Sequence, residues 1–224
     1  KKYNWFLRYG IDFDYSLFRE FKRLIYKAGS DRELLFADAL IAIMYLKIEH
    51  SAYKLMPEYT EVDSTVWKAI ISQGTLITEL WQSQRELGKL GIFNGKSASI
   101  QMPTSSGKTK SIALIILSAF LRNQTNYAIV VAPFRSLCRE ITDEMSSVFS
   151  YDNSIHVNEI SDVMQMDIIE QILSGDNETD EKNIYIVTPE KLLFVIRQNI
   201  LFLSNIKLII FDEGHLFDDT SRGV

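Results

Sequence analysis

Two short stretches hold residues whose types and spacing could handle a phosphate. The first is Pro103-Thr104-Ser105-Ser106-Gly107-Lys108-Thr109. Small residues let backbone N–H groups turn inward toward anionic oxygens, and a helix opening after Gly107 would add its positive N-terminal end. Lys108 is the cation that would reach the outer phosphates, and the Thr109 hydroxyl is a ligand for Mg²⁺. Met102 takes the place where the full G-x-x-x-x-G-K-[ST] pattern has its first glycine. The second stretch, about a hundred residues on, is Asp212-Glu213-Gly214-His215 after the apolar run Leu208–Phe211. Carboxylates at the carboxyl end of a parallel strand stand where open sheets bind ligands. Asp212 would hold Mg²⁺ and Glu213 would polarise an attacking water, with Lys108 completing the catalytic set. Each stretch alone has an ordinary reading, a surface turn or an acidic turn. Together they are complementary halves of one nucleotide-hydrolysing site.

The elements that must position these halves show in the apolar patterning. Runs rich in Ile and Val recur at Ala98–Met102, Tyr127–Ala132, Ile155–Ile160, Ile184–Thr188 and Ile206–Phe211. Helical stretches lie between several of them, at Lys110–Leu121, Ser136–Phe149, Val163–Leu173 and Glu190–Gln198. Strands alternating with helices predict an α/β fold, a parallel sheet with helices on both faces. Leu208–Phe211 reads as a buried strand. The polar run Ser174–Asn183 reads as a solvated loop.

Residues 1–79 read instead as a helical accessory segment ahead of a domain over 80–224. Phe13–Lys27 is amphipathic, and Ser30 with Glu33 forms a capping-box pattern ahead of a long helix through Leu46. The wide apolar surface of that helix predicts packing on more than one side. Pro57 is expected beyond its end, Asp63 caps a helix through Ile71, and Gly74 breaks the chain before Leu80–Leu90.

Composition sets the remaining bounds. The chain has 224 residues, 46% hydrophobic and 24% charged, with a net charge of −5. That is ordinary for a globular domain and weighs against a duplex-binding module with a basic face. A single strand gripped through a few local contacts remains compatible. No apolar run is long enough to span a bilayer, and no signal-peptide pattern follows Lys1, which marks the chain as a piece of a longer protein. One cysteine, Cys138, fits a buried apolar position and a reducing cytosol, so the expected location is cytoplasmic, or nuclear in a eukaryote. His50 and His156 have no metal-ligand spacing.

These residues resemble the superfamily 2 DExH-type helicases, most closely the Ski-like branch with its Hel-type repair helicases. Met102-Pro103-Thr104-Ser105-Ser106-Gly107-Lys108-Thr109 is similar to that branch's phosphate loop, Met102 included, and Asp212-Glu213-Gly214-His215 with Arg222-Gly223 is similar to its acidic motif. The resemblance covers about residues 80–223 and implies an N-terminal RecA-like P-loop domain that uses ATP and Mg²⁺. It makes Thr104, Ser105, Ser106, Gly107, Lys108 and Thr109 the phosphate cradle and His215 a coupling residue. Leu80-Trp81-Gln82-Ser83-Gln84 is similar to the segment whose final glutamine reads adenine, since an amide donates to N7 and accepts from the N6 amino group. Val131–Leu137, with Pro133 and Arg135, is similar to motif Ia, and Thr188-Pro189-Glu190-Lys191 to the T-P-E-K motif. Both imply contacts to the phosphates of single-stranded DNA or RNA.

The resemblance also implies a second RecA-like domain, supplying arginines worth about a thousandfold or more in rate. Weak nucleotide binding and poor hydrolysis are therefore expected of this chain alone. Asp-Glu-Gly-His and the helical leader are similar to helicases of antiphage systems such as Hachiman, and the leader is a candidate seat for a protein partner. Rival readings are a translocase that moves without separating strands, in a nuclease or defence complex, and an inert nucleotide- or nucleic-acid-binding scaffold. A small-molecule P-loop kinase would carry neither the T-P-E-K motif nor Gln84.

Overall fold

The computed structural model describes residues 1–103, 106–160, 181–198 and 206–218. The chain divides into two compact units, Lys1–Ser106 and Gly107–Val224.

The first unit is helical: α1 (Lys2–Tyr9), α2 (Ser16–Ala28), α3 (Asp31–Glu49), α4 (Ala52–Thr60), α5 (Ser64–Ile71) and α6 (Gln82–Lys89), then a 3₁₀ turn at Ile92–Asn94. Its helix starts follow local chemistry. The Ser30 hydroxyl accepts from the Glu33 N–H at 3.4 Å while the Glu33 carboxylate accepts from the Ser30 N–H at 2.7 Å, the predicted capping box. Asp63 accepts from the Thr65 N–H at 2.7 Å and starts α5. Gly74, at φ 84°, makes the predicted break. Ile48, Met56, Trp67, Ile71, Leu80 and Phe93 are fully buried.

One expectation for this unit holds with an addition and one fails. Pro57 does follow the end of α3 at Glu49, and it lies inside the next helix, α4. Its missing N–H forfeits one intrahelical bond, and the helix persists because Tyr53, Met56 and Thr60 are buried on its inner face. The long helix α3 is packed on one side only among the described residues. Ile41, Met44 and Ile48 join a cluster with Phe6 and Phe18. Leu35, Phe36, Leu40, Ile43 and Leu46 stay 49–70% exposed. Apolar width shows that a surface can be covered, not that it is.

The second unit holds α7 (Lys108–Leu121), β1 (Tyr127–Val131), α8 (Arg135–Phe149), β2 (Ile155–Glu159), β3 (Lys182–Val187), α9 (Pro189–Gln198), β4 (Leu208–Phe211) and a 3₁₀ turn at Gly214–Asp218. Its four strands are all parallel, in the order β2-β3-β1-β4. Side chains alternate across the sheet. On one face Ile129, Val131, Tyr185 and Val187 pack with Leu192 and Val195 of α9. Ala128, Val130, Ile184 and Ile186 bury the other face, where α7 and α8 lie. This is the predicted α/β architecture of a RecA-like domain.

Three patterning expectations need correction. Ala98–Met102 forms no strand. An alternating pattern needs a ladder partner to become one, and among the described residues Ala98–Met102 has none. Leu208–Ile210 are only partly buried and Phe211 is 56% exposed, because β4 has a described neighbour on one side only. Lys182 and Asn183, expected in the polar loop, already belong to β3. The predicted helix Val163–Leu173 lies outside the described residues. Cys138 is buried, with its thiol pushed up to about 11 chiefly by that burial, as a packing residue should be. No helix among the described residues is long and apolar enough to cross a membrane.

Inside the helical unit, the Trp67 indole N–H donates to the Thr60 hydroxyl at 2.9 Å, and that hydroxyl donates to the Met56 carbonyl at 2.6 Å. Thr60→Val keeps the shape and strands the buried indole N–H. We predict a loss of about 1–3 kcal/mol in this unit, read from Trp67 emission during urea unfolding. An unchanged midpoint would show that the hydroxyl contributes nothing.

Candidate nucleotide site

The strand register sets the site. Val131, Val187 and Phe211 stand in one row across β1, β3 and β4. The ladder runs one residue further, with the Ala132 N–H donating to the Val187 carbonyl at 3.0 Å and the Asp212 N–H to the Val131 carbonyl at 2.8 Å. Three sequence motifs therefore leave the sheet at one carboxyl edge: Ala132-Pro133-Phe134-Arg135 into α8, Thr188-Pro189-Glu190-Lys191 into α9, and Asp212-Glu213-Gly214-His215 after β4.

The lysine and the acids meet there. Gly107, at φ 78°, is the N-cap of α7, and Lys108 is its first residue. That left-handed turn, open to glycine without strain, releases the chain into the helix. Lys108 Nζ donates to Glu213 Oε1 and lies 3.6 Å from Asp212 Oδ1. Two features 105 residues apart thus share one ionic cluster. The bond to Glu213 raises the Lys108 ammonium above its ordinary range, and the same bond holds the Glu213 carboxyl below its own. Asp212 is buried, and its Oδ1 accepts from the Glu213 N–H at 3.0 Å. Glu213 sits at φ 50°, a left-handed backbone uncommon outside glycine. His215 Nδ1 lies 3.3 Å from Glu213 Oε2, so lysine and imidazole face different oxygens of one carboxylate.

Thr109, the second residue of α7, is half-buried beside Lys108. A buried carboxylate such as Asp212 is the kind of oxygen donor Mg²⁺ takes, one or two from protein with phosphate and water completing the shell. Among the described residues no group of three or more His, Cys, Asp and Glu converges.

The remaining candidates fall as follows. In the first unit Ser106 ends the described loop, its hydroxyl buried without a hydrogen-bond partner. Thr104, Ser105, Arg222 and Gly223 lie outside the described residues. Gln84 is 1% exposed, and its Oε1 accepts from the Trp81 N–H at 2.9 Å, so its acceptor already closes the first turn of α6. Thr188 is buried at the mouth of α9, and Lys191 Nζ is buried without a hydrogen-bond partner. Pro133 is buried, Pro189 is half-buried, and Arg135 and Glu190 are exposed. Sequence reasoning passed over Ser83, whose hydroxyl donates to the Ser106 carbonyl at 3.1 Å and ties α6 to the loop within the first unit. Its place two residues after Trp81 was the available signal.

Residues 81–224 match the DEAD/DEAH box helicase family. The chain is 33% identical over 181 residues to the Hachiman protein HamB of Bacillus cereus, covering 78% of this chain and 16% of that protein. It is 25% identical over 171 residues to the ATP-dependent DNA helicase Hel308 of Pyrococcus horikoshii, covering 74% and 21%. Over 155 residues it is 28% identical to the Hel308 of Methanocella arvoryzae, covering 67% and 19%. The chain thus spans 16–21% of the length of these relatives. With the family match running from the first turn of α6 through the acidic motif, this chain belongs to the DEAD/DEAH box helicases, as the N-terminal RecA-like domain of a superfamily 2 helicase.

Proposed function

We propose that this chain is the first motor domain of an ATP-dependent nucleic-acid helicase, binding Mg-ATP at the Lys108–Asp212–Glu213 cluster. The observation that carries this is the ionic contact between the helix that opens at Gly107 and the acids that end β4. A lysine at a helix N-terminus recognises phosphate oxygens. Asp212 and Thr109 would hold Mg²⁺, and that ion would neutralise charge developing on the transferred phosphoryl group. Incoming phosphate competes with Glu213 for Lys108. Once Lys108 turns to the phosphate, Glu213 is free to accept a proton from water, with His215 on its other oxygen to report that change.

Single-stranded DNA or RNA would cross the carboxyl edge beside α8 and α9. Thr188, Pro189, Glu190 and Lys191 open α9, and Pro133 and Arg135 lead into α8. The orphaned Lys191 Nζ supports an anion there, because buried polar groups normally find partners. The name of the Hel308 relatives favours ATP-dependent work on DNA, and the resemblance to the Hachiman helicases, with HamB among the relatives, favours an antiphage setting. In the defence setting, translocation without strand separation is the second reading. A second RecA-like domain would complete the ATP site, and the exposed side of α3 supports a protein-covered leader. The single buried thiol suits a cytoplasmic location. Intact Lys108, Asp212 and Glu213 disfavour an inert scaffold.

In the complete protein, Lys108→Ala should abolish nucleotide-dependent activity in a phosphate-release assay. Glu213→Gln should keep nucleotide bound while hydrolysis falls about a hundredfold or more. Full hydrolysis by Glu213→Gln would remove it as the base. Lys191→Ala should weaken single-strand binding for all sequences alike and flatten its salt dependence, by roughly one phosphate contact. Titration of a fluorescent oligonucleotide at several salt concentrations reads both, and an unchanged slope would take Lys191 off the strand path.

A further inference from the structure

The helical unit carries a one-signed face that the motor motifs do not use. Helix α2 holds Arg19, Lys22, Arg23 and Lys27 against one acid, Glu20, in a chain whose 24 Lys and Arg are outnumbered by 29 Asp and Glu. With 3.6 residues per turn, Arg19, Lys22, Arg23, Tyr26 and Lys27 share one side of the helix, over about 12 Å of its axis. All five are exposed, and Tyr26, at 76%, is the most exposed large hydrophobic side chain among the described residues. The opposite side is engaged: Phe18 is buried in a cluster with Phe6 and Ile48, and Leu17 and Ile25 are half-buried.

A charged helix face is usually solvated surface and nothing more. Several observations set this one apart. Surfaces that serve solubility mix both signs, and this one does not. Arg19, Arg23 and Lys27 follow one another at four-residue steps, a like-charge ladder that destabilises the free helix. The first turn of α2 has no acid to suit the positive end of the helix dipole. Lys22 Nζ lies 2.8 Å from Asp38 Oδ1, whereas among the described residues Arg19, Arg23 and Lys27 have no ion-pair partner. A face that costs the helix stability while empty is relieved by a polyanion. The polyanion that fits has repeated phosphates for the cations and flat bases for the tyrosine ring in their midst. An anionic bilayer fits less well, because it would take the apolar side of α2, and that side is turned into the unit through Phe18. We propose that this face of α2 is a contact for single-stranded nucleic acid outside the motor motifs, with Arg19, Arg23 and Lys27 on the backbone and Tyr26 on a base. It rests on the nucleic-acid reading given above and adds a surface that no motif residue supplies.

The test uses the complete protein and a fluorescent single-stranded oligonucleotide titrated at several salt concentrations. The triple variant Arg19→Gln, Arg23→Gln, Lys27→Gln should bind about tenfold more weakly, with a salt slope lower by about two, the value for three phosphate contacts on a single strand. Tyr26→Leu should bind roughly fivefold or more weakly with its slope unchanged, and Tyr26→Phe should stay within about threefold of the parent. Hydrolysis in the absence of nucleic acid should stay at the parent level in every variant. A lowered thermal midpoint in the triple variant moves the test to Arg23→Gln alone, whose slope should fall by about 0.7. Parent-level affinity and slope in the charge variants would overturn the proposal. So would unchanged oligonucleotide binding with lost attachment to phosphatidylserine vesicles, which would make the face a membrane contact. A parent protein that binds no oligonucleotide would contradict the nucleic-acid reading itself, and this proposal with it.

Discussion

One ionic contact holds the functional reading together. Lys108 opens α7, Asp212 and Glu213 close β4, and the lysine ammonium sits against both carboxylates. Neither group would be placed without the sheet. β1 aligns β4 so that the chain leaves the ladder at Asp212, and the glycine turn at Gly107 aims the first residue of α7 at the same edge. The contact raises the Lys108 ammonium and lowers the Glu213 carboxyl, so each favours the other's charged form. On the proposed function, an anion that draws Lys108 away would free Glu213 to act as the base, so the same contact would make the base depend on the ligand.

Much of the second unit was legible because its signals are local and redundant. Four of the five apolar runs became strands, within a residue or two of their expected bounds, and the helices after Gly107, Phe134 and Thr188 start where turn chemistry places them. Ala98–Met102 failed for a reason its own residues do not contain, since a strand is made by its neighbour. Phe211 is exposed on similar grounds, because the position of β4 in the sheet decides its cover. In the first unit, capping at Ser30 and Asp63 was readable residue by residue. The bare side of α3 and the proline inside α4 were not, since packing against other elements decides both.

The candidate site shows the same division. Residue types named Lys108, Asp212 and Glu213, and the fold brought them together. What sequence could not convey was how polar atoms are already spent. Gln84, the expected base reader, also caps its own helix through Oε1, and Lys191 combines its motif position with an ammonium buried without a partner. Hydrogen-bond accounting of this kind changes which side chains are free to meet a ligand. Among the described residues it leaves the Ser106 hydroxyl and the Lys191 ammonium, both buried without a partner, as motif groups with unmet capacity.

The account turns on the exchange of partners at Lys108. A crystal structure of this chain with Mg-ADP tests it most directly. It should place the β-phosphate within hydrogen-bonding distance of Lys108 Nζ, about 3 Å, with the metal beside Asp212 and Glu213 released from the lysine. Nucleotide bound elsewhere, with the Lys108–Glu213 contact undisturbed, would contradict it.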